Sequence, residues 1–138
     1  MRRLALAVAL LGSIASLGLT PPREEKPANR FFEMRTYIAH EGKLDALNAR
    51  FRNHTNKLFE KHGMQLVGYW TPTDEKKKNN TLIYILAFPS KEARDASFKA
   101  FIDDPAWKKA YAESEKDGKL VKEVISEFMV PTDYSPIK

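Results

Sequence analysis

The stretch TLIYILAF, Thr81 to Phe88, decides how this chain is read, because it is apolar on both faces where a half-exposed strand would alternate. Leu82, Tyr84, Leu86 and Phe88 point one way, and Ile83 and Ile85 point the other. Such a strand is covered on two sides. The task for the rest of the chain is to supply the two covers.

Working outward, PTDEKKKNN is a turn, and MQLVGYW before it is a strand. From Gly42 to His62, the positions Leu44, Leu47, Phe51, Leu58 and Phe59 fit one helical stripe, ended at Gly63 by a left-handed cap. FFEMRTYI is an earlier strand, with Phe32, Met34 and Ile38 on one side and Glu33, Arg35 and Tyr37 on the other. The apolar set is expected to meet the helices and the polar set to face the opposite side. After TLIYILAF, Ser90 caps a helix carrying Ala93, Ala96, Ala100 and Phe101. Asp104-Pro105 starts another helix through Trp107 and Tyr111, and KLVKEVISEFMV closes as a strand.

The order strand, helix, strand, strand, helix, strand is the ferredoxin-like split βαβ arrangement of an α+β protein. Its helices cover one sheet face. The chain has no further strands for the other, so a second copy packed face to face is the economical cover, giving a dimeric α+β barrel.

The 138 residues suffice for one domain with a core. MRR followed by the 16-residue run Leu4–Leu19 has the form of an export signal. As a helix that run would span roughly 24 Å, short of the roughly 30 Å hydrocarbon core, so no stable membrane span is expected. The expected organisation is a cleaved signal peptide over residues 1–18, a Pro- and charge-rich linker over 19–30, and a folded domain over 31–138, secreted or periplasmic. The formal charge of +5 includes Arg2 and Arg3, so the mature chain carries about +3, an ordinary surface. Lys76-Lys77-Lys78 sits in a polar loop without interleaved aromatics and reads as a solvated hairpin tip, which argues against nucleic acid. With no cysteine, disulfides, thiolate metal sites and cysteine nucleophiles are excluded.

His54 and His62 lie eight residues apart on one helix, about 12 Å along its axis, too far to share a metal through ligand bonds of about 2.1 Å. His62 precedes the glycine break and suits capping of free carbonyls. His54, three residues after Phe51 and four before Leu58, falls on or beside the inward stripe. Arg94 is suited to a planar anionic group. Tyr69, Trp70, Tyr84 and Trp107 are core aromatics or the lining of a cavity between helices and sheet. The candidate ligand-binding residues are therefore Arg35, Tyr37, His54, Trp70 and Arg94. No metal or cofactor is expected, and neither a nucleophile elbow nor a phosphate loop is present.

The stretch FFEMRTYIAHEGKLDALNARFRNHTNKLFEKHGMQLVGYW, then Asn80, PSKEARDASFKAFIDDPAWKK and PTDYSPI resembles the NIPSNAP family over Phe31 to Ile137. The resemblance implies a dimeric α/β barrel related in shape to small monooxygenases, and Arg94 matches a family arginine. It implies no reaction, since the family has no agreed activity. Animal members resemble two such units in tandem behind a mitochondrial presequence, whereas this chain carries one unit behind an export-type leader. The function expected is a small-ligand-binding or interaction module for an apolar ligand. The alternative is a cofactor-free enzyme, monooxygenase- or isomerase-like, acting through His54, Arg35 and Tyr37.

Overall fold

A computed structural model describes residues 30–138. The expected leader over 1–18, and all but the last residue of the expected linker over 19–30, lie outside the described residues. Strand β3 (Thr81–Phe88) runs through the interior of a four-stranded antiparallel sheet of order β2-β3-β1-β4, with β1 at Phe31–Ala39, β2 at Gln65–Trp70 and β4 at Val121–Met129. This is the ferredoxin-like order. Leu82, Tyr84, Leu86 and Phe88 are buried in the core beneath the helices, while Ile83 and Ile85 are only half-buried on the opposite face.

The helices are α1 (Leu44–Arg50), α2 (Asn56–Lys61), α3 (Lys91–Asp103) and α4 (Pro105–Ser114). Ser90 caps α3, its hydroxyl accepting from the Ala93 N–H at 3.2 Å, and Asp104 caps α4 by accepting from the Ala106 N–H at 2.8 Å. Pro105 occupies the first turn of α4, where its missing N–H costs nothing. Asp103, just before that cap, is the last residue of α3.

Between α1 and α2 the backbone widens into a π segment, Phe51–Thr55, in which the Asn56 N–H reaches back to the Phe51 carbonyl. The Thr55 hydroxyl donates to the Arg50 carbonyl at 3.3 Å, tying the widened turn from its buried side. The wide turn keeps Leu47, Phe51, Thr55 and Phe59 in one inward row at steps of four. A regular α-helix would drift by about 40° at each such step. His54, expected on the inward stripe, is consequently exposed.

The faces of β1 are the reverse of the expected ones. Tyr37 pairs with Leu82 and Arg35 with Tyr84 on the helix side, so Glu33, Arg35 and Tyr37 lie beneath the helices. Phe32, Met34 and Ile38 occupy the open face with Ile83 and Ile85. Charge can lie under the helices because Glu33, wholly buried, is neutralised there by two arginines.

Candidate functional site

Strands β1 and β4 and all four helices, with the π segment, converge on a cavity of about 290 Å³ between the helices and the β1–β4 side of the sheet. β1 contributes Tyr37, α1 and the π segment contribute Arg50, Phe51 and Thr55, α2 contributes Phe59, α3 contributes Phe98 and Phe101, α4 contributes Trp107 and Tyr111, and β4 ends the wall at Val121–Val124. Its aromatic walls pack edge to face, Tyr37 against Phe51 at 5.7 Å and Phe98 against Phe101 at 6.4 Å between ring centroids.

Arg50 is the buried cation of this wall, with a side chain only 3% exposed. Its Nη1 donates to Ser114 Oγ at 3.1 Å and to Glu115 Oε1 at 3.0 Å. Its guanidinium lies over the rings of Trp107 at 5.5 Å and Tyr111 at 5.2 Å. In the sequence this residue stands in LNARF, three after Leu47. That inward spacing was the signal for it, obscured by the usual reading of an arginine as a solvent residue.

Beside the cavity, Glu33 accepts four hydrogen bonds. Arg94 grips it through both oxygens, Nε to Oε2 at 2.7 Å and Nη2 to Oε1 at 2.8 Å, while Arg35 Nη1 at 2.7 Å and the Ser126 hydroxyl at 2.5 Å also reach Oε1. Burial works to raise the Glu33 pKa. The hydrogen bonds from Arg94 and Ser126 and the charge of Arg35 outweigh it and hold the carboxyl below its usual range. Arg35 connects the cluster to the cavity, its guanidinium 5.5 Å from the Tyr37 ring and 5.1 Å from the Phe98 ring.

Of the expected site residues, Tyr37 lines the cavity and Arg35 stands just behind it. Arg94 does bind a planar anion, but that anion is the chain's own Glu33, so it is not free to hold a ligand. His54 is exposed on the outer side of the helix, in a shallow groove with Asn53, Ala110 and Glu113. Trp70 lies on the open sheet face, 49% exposed, its ring folded over Gly68 where a Cβ would collide at 2.6 Å. Of the aromatic set, Tyr69 and Tyr84 stack in the core at 5.4 Å and Trp107 lines the cavity. His62 has a structural role other than the expected one. The Gly63 and Met64 N–H groups already satisfy the Glu60 and Phe59 carbonyls, and the His62 ring instead meets Asp104 at 2.8 Å, joining the end of α2 to the start of α4. Hydrogen bonds from Lys61, His62 and the Ala106 N–H hold Asp104 well below the usual carboxylate range. Among the described residues there is no cluster of three or more His, Asp or Glu able to hold a metal ion.

The NIPSNAP family model matches residues 32–136, most of the chain. The chain belongs to the NIPSNAP family. No curated protein matches the chain significantly in sequence. Among solved structures, a NIPSNAP family protein of unknown function from Agrobacterium tumefaciens is 25% identical, covering 82% of this chain and 97% of its own, with a TM-score of 0.69. An uncharacterised NIPSNAP-like domain protein from Burkholderia xenovorans shares 15% identity over 79% of this chain and 90% of its own, TM-score 0.68. A candidate antibiotic biosynthesis monooxygenase from Chloroflexus aurantiacus shares 18% identity over 79% and 99%, TM-score 0.51. The NIPSNAP domain thus has the ferredoxin-like α+β fold, and none of these relatives supplies a reaction for it. No described helix is long and apolar enough to cross a membrane.

Proposed function

We propose that this NIPSNAP domain is an exported small-molecule-binding module that works as a homodimer and receives a flat, largely apolar ligand in the helix-side cavity. The observation that carries the reading is the cavity itself. It is a concave site of about 290 Å³, walled by seven aromatic side chains and holding one buried arginine. Binding pockets generally combine apolar walls with a few fixed polar groups in this way. The dimer is supported by the open face, where Ile83 and Ile85 stay half-buried and Trp70 and Ile125 are exposed. Contiguous apolar surface of that kind favours association with a second copy. Export is supported by the apolar run behind Arg2 and Arg3, and intact mass of the native protein, lacking about the first 18 residues, checks it.

A cofactor-free enzyme on the same scaffold is the second reading, supported by the Tyr37 hydroxyl standing 3.5 Å from Arg35 Nη2 at the cavity wall. Binding is preferred because the histidine expected to serve that chemistry, His54, stands outside the cavity. Native mass spectrometry of protein recovered from outside the cytoplasm tests the binding reading. The expected spectrum is a dimer with one organic adduct per subunit, and Val124→Trp, which fills the cavity, should lose the adduct and remain a dimer. An adduct that persists in Val124→Trp places the ligand elsewhere.

A further inference from the structure

Arg50 has one edge in use and one edge idle. Nη1 serves Ser114 and Glu115, while Nε is buried with no hydrogen-bond partner among the described residues, and Nη2 makes no hydrogen bond there. The Nε–Nη2 edge is one of the two forks by which a guanidinium takes a carboxylate with two parallel N–H···O bonds. Leaving the buried Nε without an acceptor costs free energy that one would recover. An arginine serving only to tie α1 to α4 would have finished its work with Nη1. This one also lies against Trp107 and Tyr111, two of the rings that wall the cavity.

The local charge agrees with an anionic guest. Arg50 is paired with Glu115, and the remaining charged groups of the lining are one lysine, Lys122, and one glutamate, Glu123. Behind the wall Glu33 faces two cations, Arg35 and Arg94, so this part of the cluster carries one excess positive charge. Arg94 also reaches Asp95, but at 3.1 Å on the surface, where that carboxylate is half exposed and screened. One anion, not a cation or a dianion, is what the set accommodates.

We infer that the cavity binds a small aromatic acid, its ring between Phe51, Phe98 and Trp107 and its carboxylate held by the Nε–Nη2 edge of Arg50. This inference deepens the binding reading above and rests on it. The probes are 2-naphthoate and its neutral isostere 2-naphthamide, titrated at pH 7.5 in the Trp70→Phe background so that Trp107 alone reports by fluorescence. Naphthoate should bind at least ten-fold more tightly than naphthamide. Arg50→Lys keeps a positive charge but loses the fork, and should cut that preference to three-fold or less while naphthamide affinity stays the same. Arg50→Met should abolish the preference, and if that variant does not fold, Arg50→Lys alone decides. Arg94→Lys, altering an arginine committed to Glu33, should keep the preference. Equal affinities for the two probes in the parent, or a full preference surviving in Arg50→Lys, would overturn the assignment of the acid to Arg50. If neither probe binds at millimolar concentration, it is the ligand-binding reading of the cavity that fails.

Discussion

Glu33 shows at the scale of one residue how a charge can stand under helices in the core. Its carboxylate has no exposure, yet it is met by two guanidinium groups and a hydroxyl. Glu33→Gln removes the negative partner and leaves Arg35 and Arg94 facing each other, which should cost about 3 kcal/mol, read from denaturant unfolding. Its folded pKa is depressed, so its contribution is fully present above the unfolded pKa and is lost as pH falls through the folded one. Wild-type melting temperature should therefore fall more steeply than that of Glu33→Gln as pH drops below the ordinary carboxylate range. Tyr69 presents the opposite case, a buried hydroxyl without a partner among the described residues, whose titration is pushed up by burial and by the nearby Glu60 charge. Tyr69→Phe should leave stability unchanged or raise it by up to about 1 kcal/mol, measured in the same unfolding experiment.

The helical elements account for what could and could not be read in advance. The Ser90 and Asp104 caps and the Gly63 stop are local chemistry, carried by side chains and backbone angles within a few residues, and they are legible in the chain. Gly63 has a φ of 77°, and Gly63→Ala should cost about 1 kcal/mol in equilibrium unfolding. The π segment is not legible in this way, because the Arg50 whose carbonyl Thr55 takes is itself held against α4 by Ser114, a contact between elements rather than within one. One widened turn moves the inward row onto Thr55 and Phe59 and sends His54 outward. His54→Ala should accordingly change neither stability, beyond about 0.5 kcal/mol, nor naphthoate affinity. Strand β1 misleads for a related reason. Alternation shows that two unlike faces exist, but which one meets the helices is decided by Arg94, 61 residues from Glu33 along the chain. Acid and base two residues apart on one strand do point to an intra-strand ion pair, which Arg35 and Glu33 form at 2.7 Å, but not to the face on which it lies. Arg50 hides behind the same habit of placing charge outside.

For the whole molecule, the doubly apolar β3 sets the architecture. Its Tyr84 side makes the core with the helices, and its Ile83 side leaves a face that no element among the described residues covers. Ile83→Asp should convert the proposed dimer to a folded monomer, seen as a halved sedimenting mass with unchanged far-ultraviolet circular dichroism. A dimer that survives the substitution would place the seam elsewhere. The chain's two tryptophans report separately on the two sides of the sheet, Trp107 in the cavity and Trp70 on the open face. The most direct test of the division into a binding side and an association side is heteronuclear NMR of the two indole N–H signals. In a titration with 2-naphthoate at fixed protein concentration, the Trp107 signal should move and the Trp70 signal should stay. A Trp70 signal that moves with the ligand while Trp107 does not would place the ligand on the open face and contradict the account.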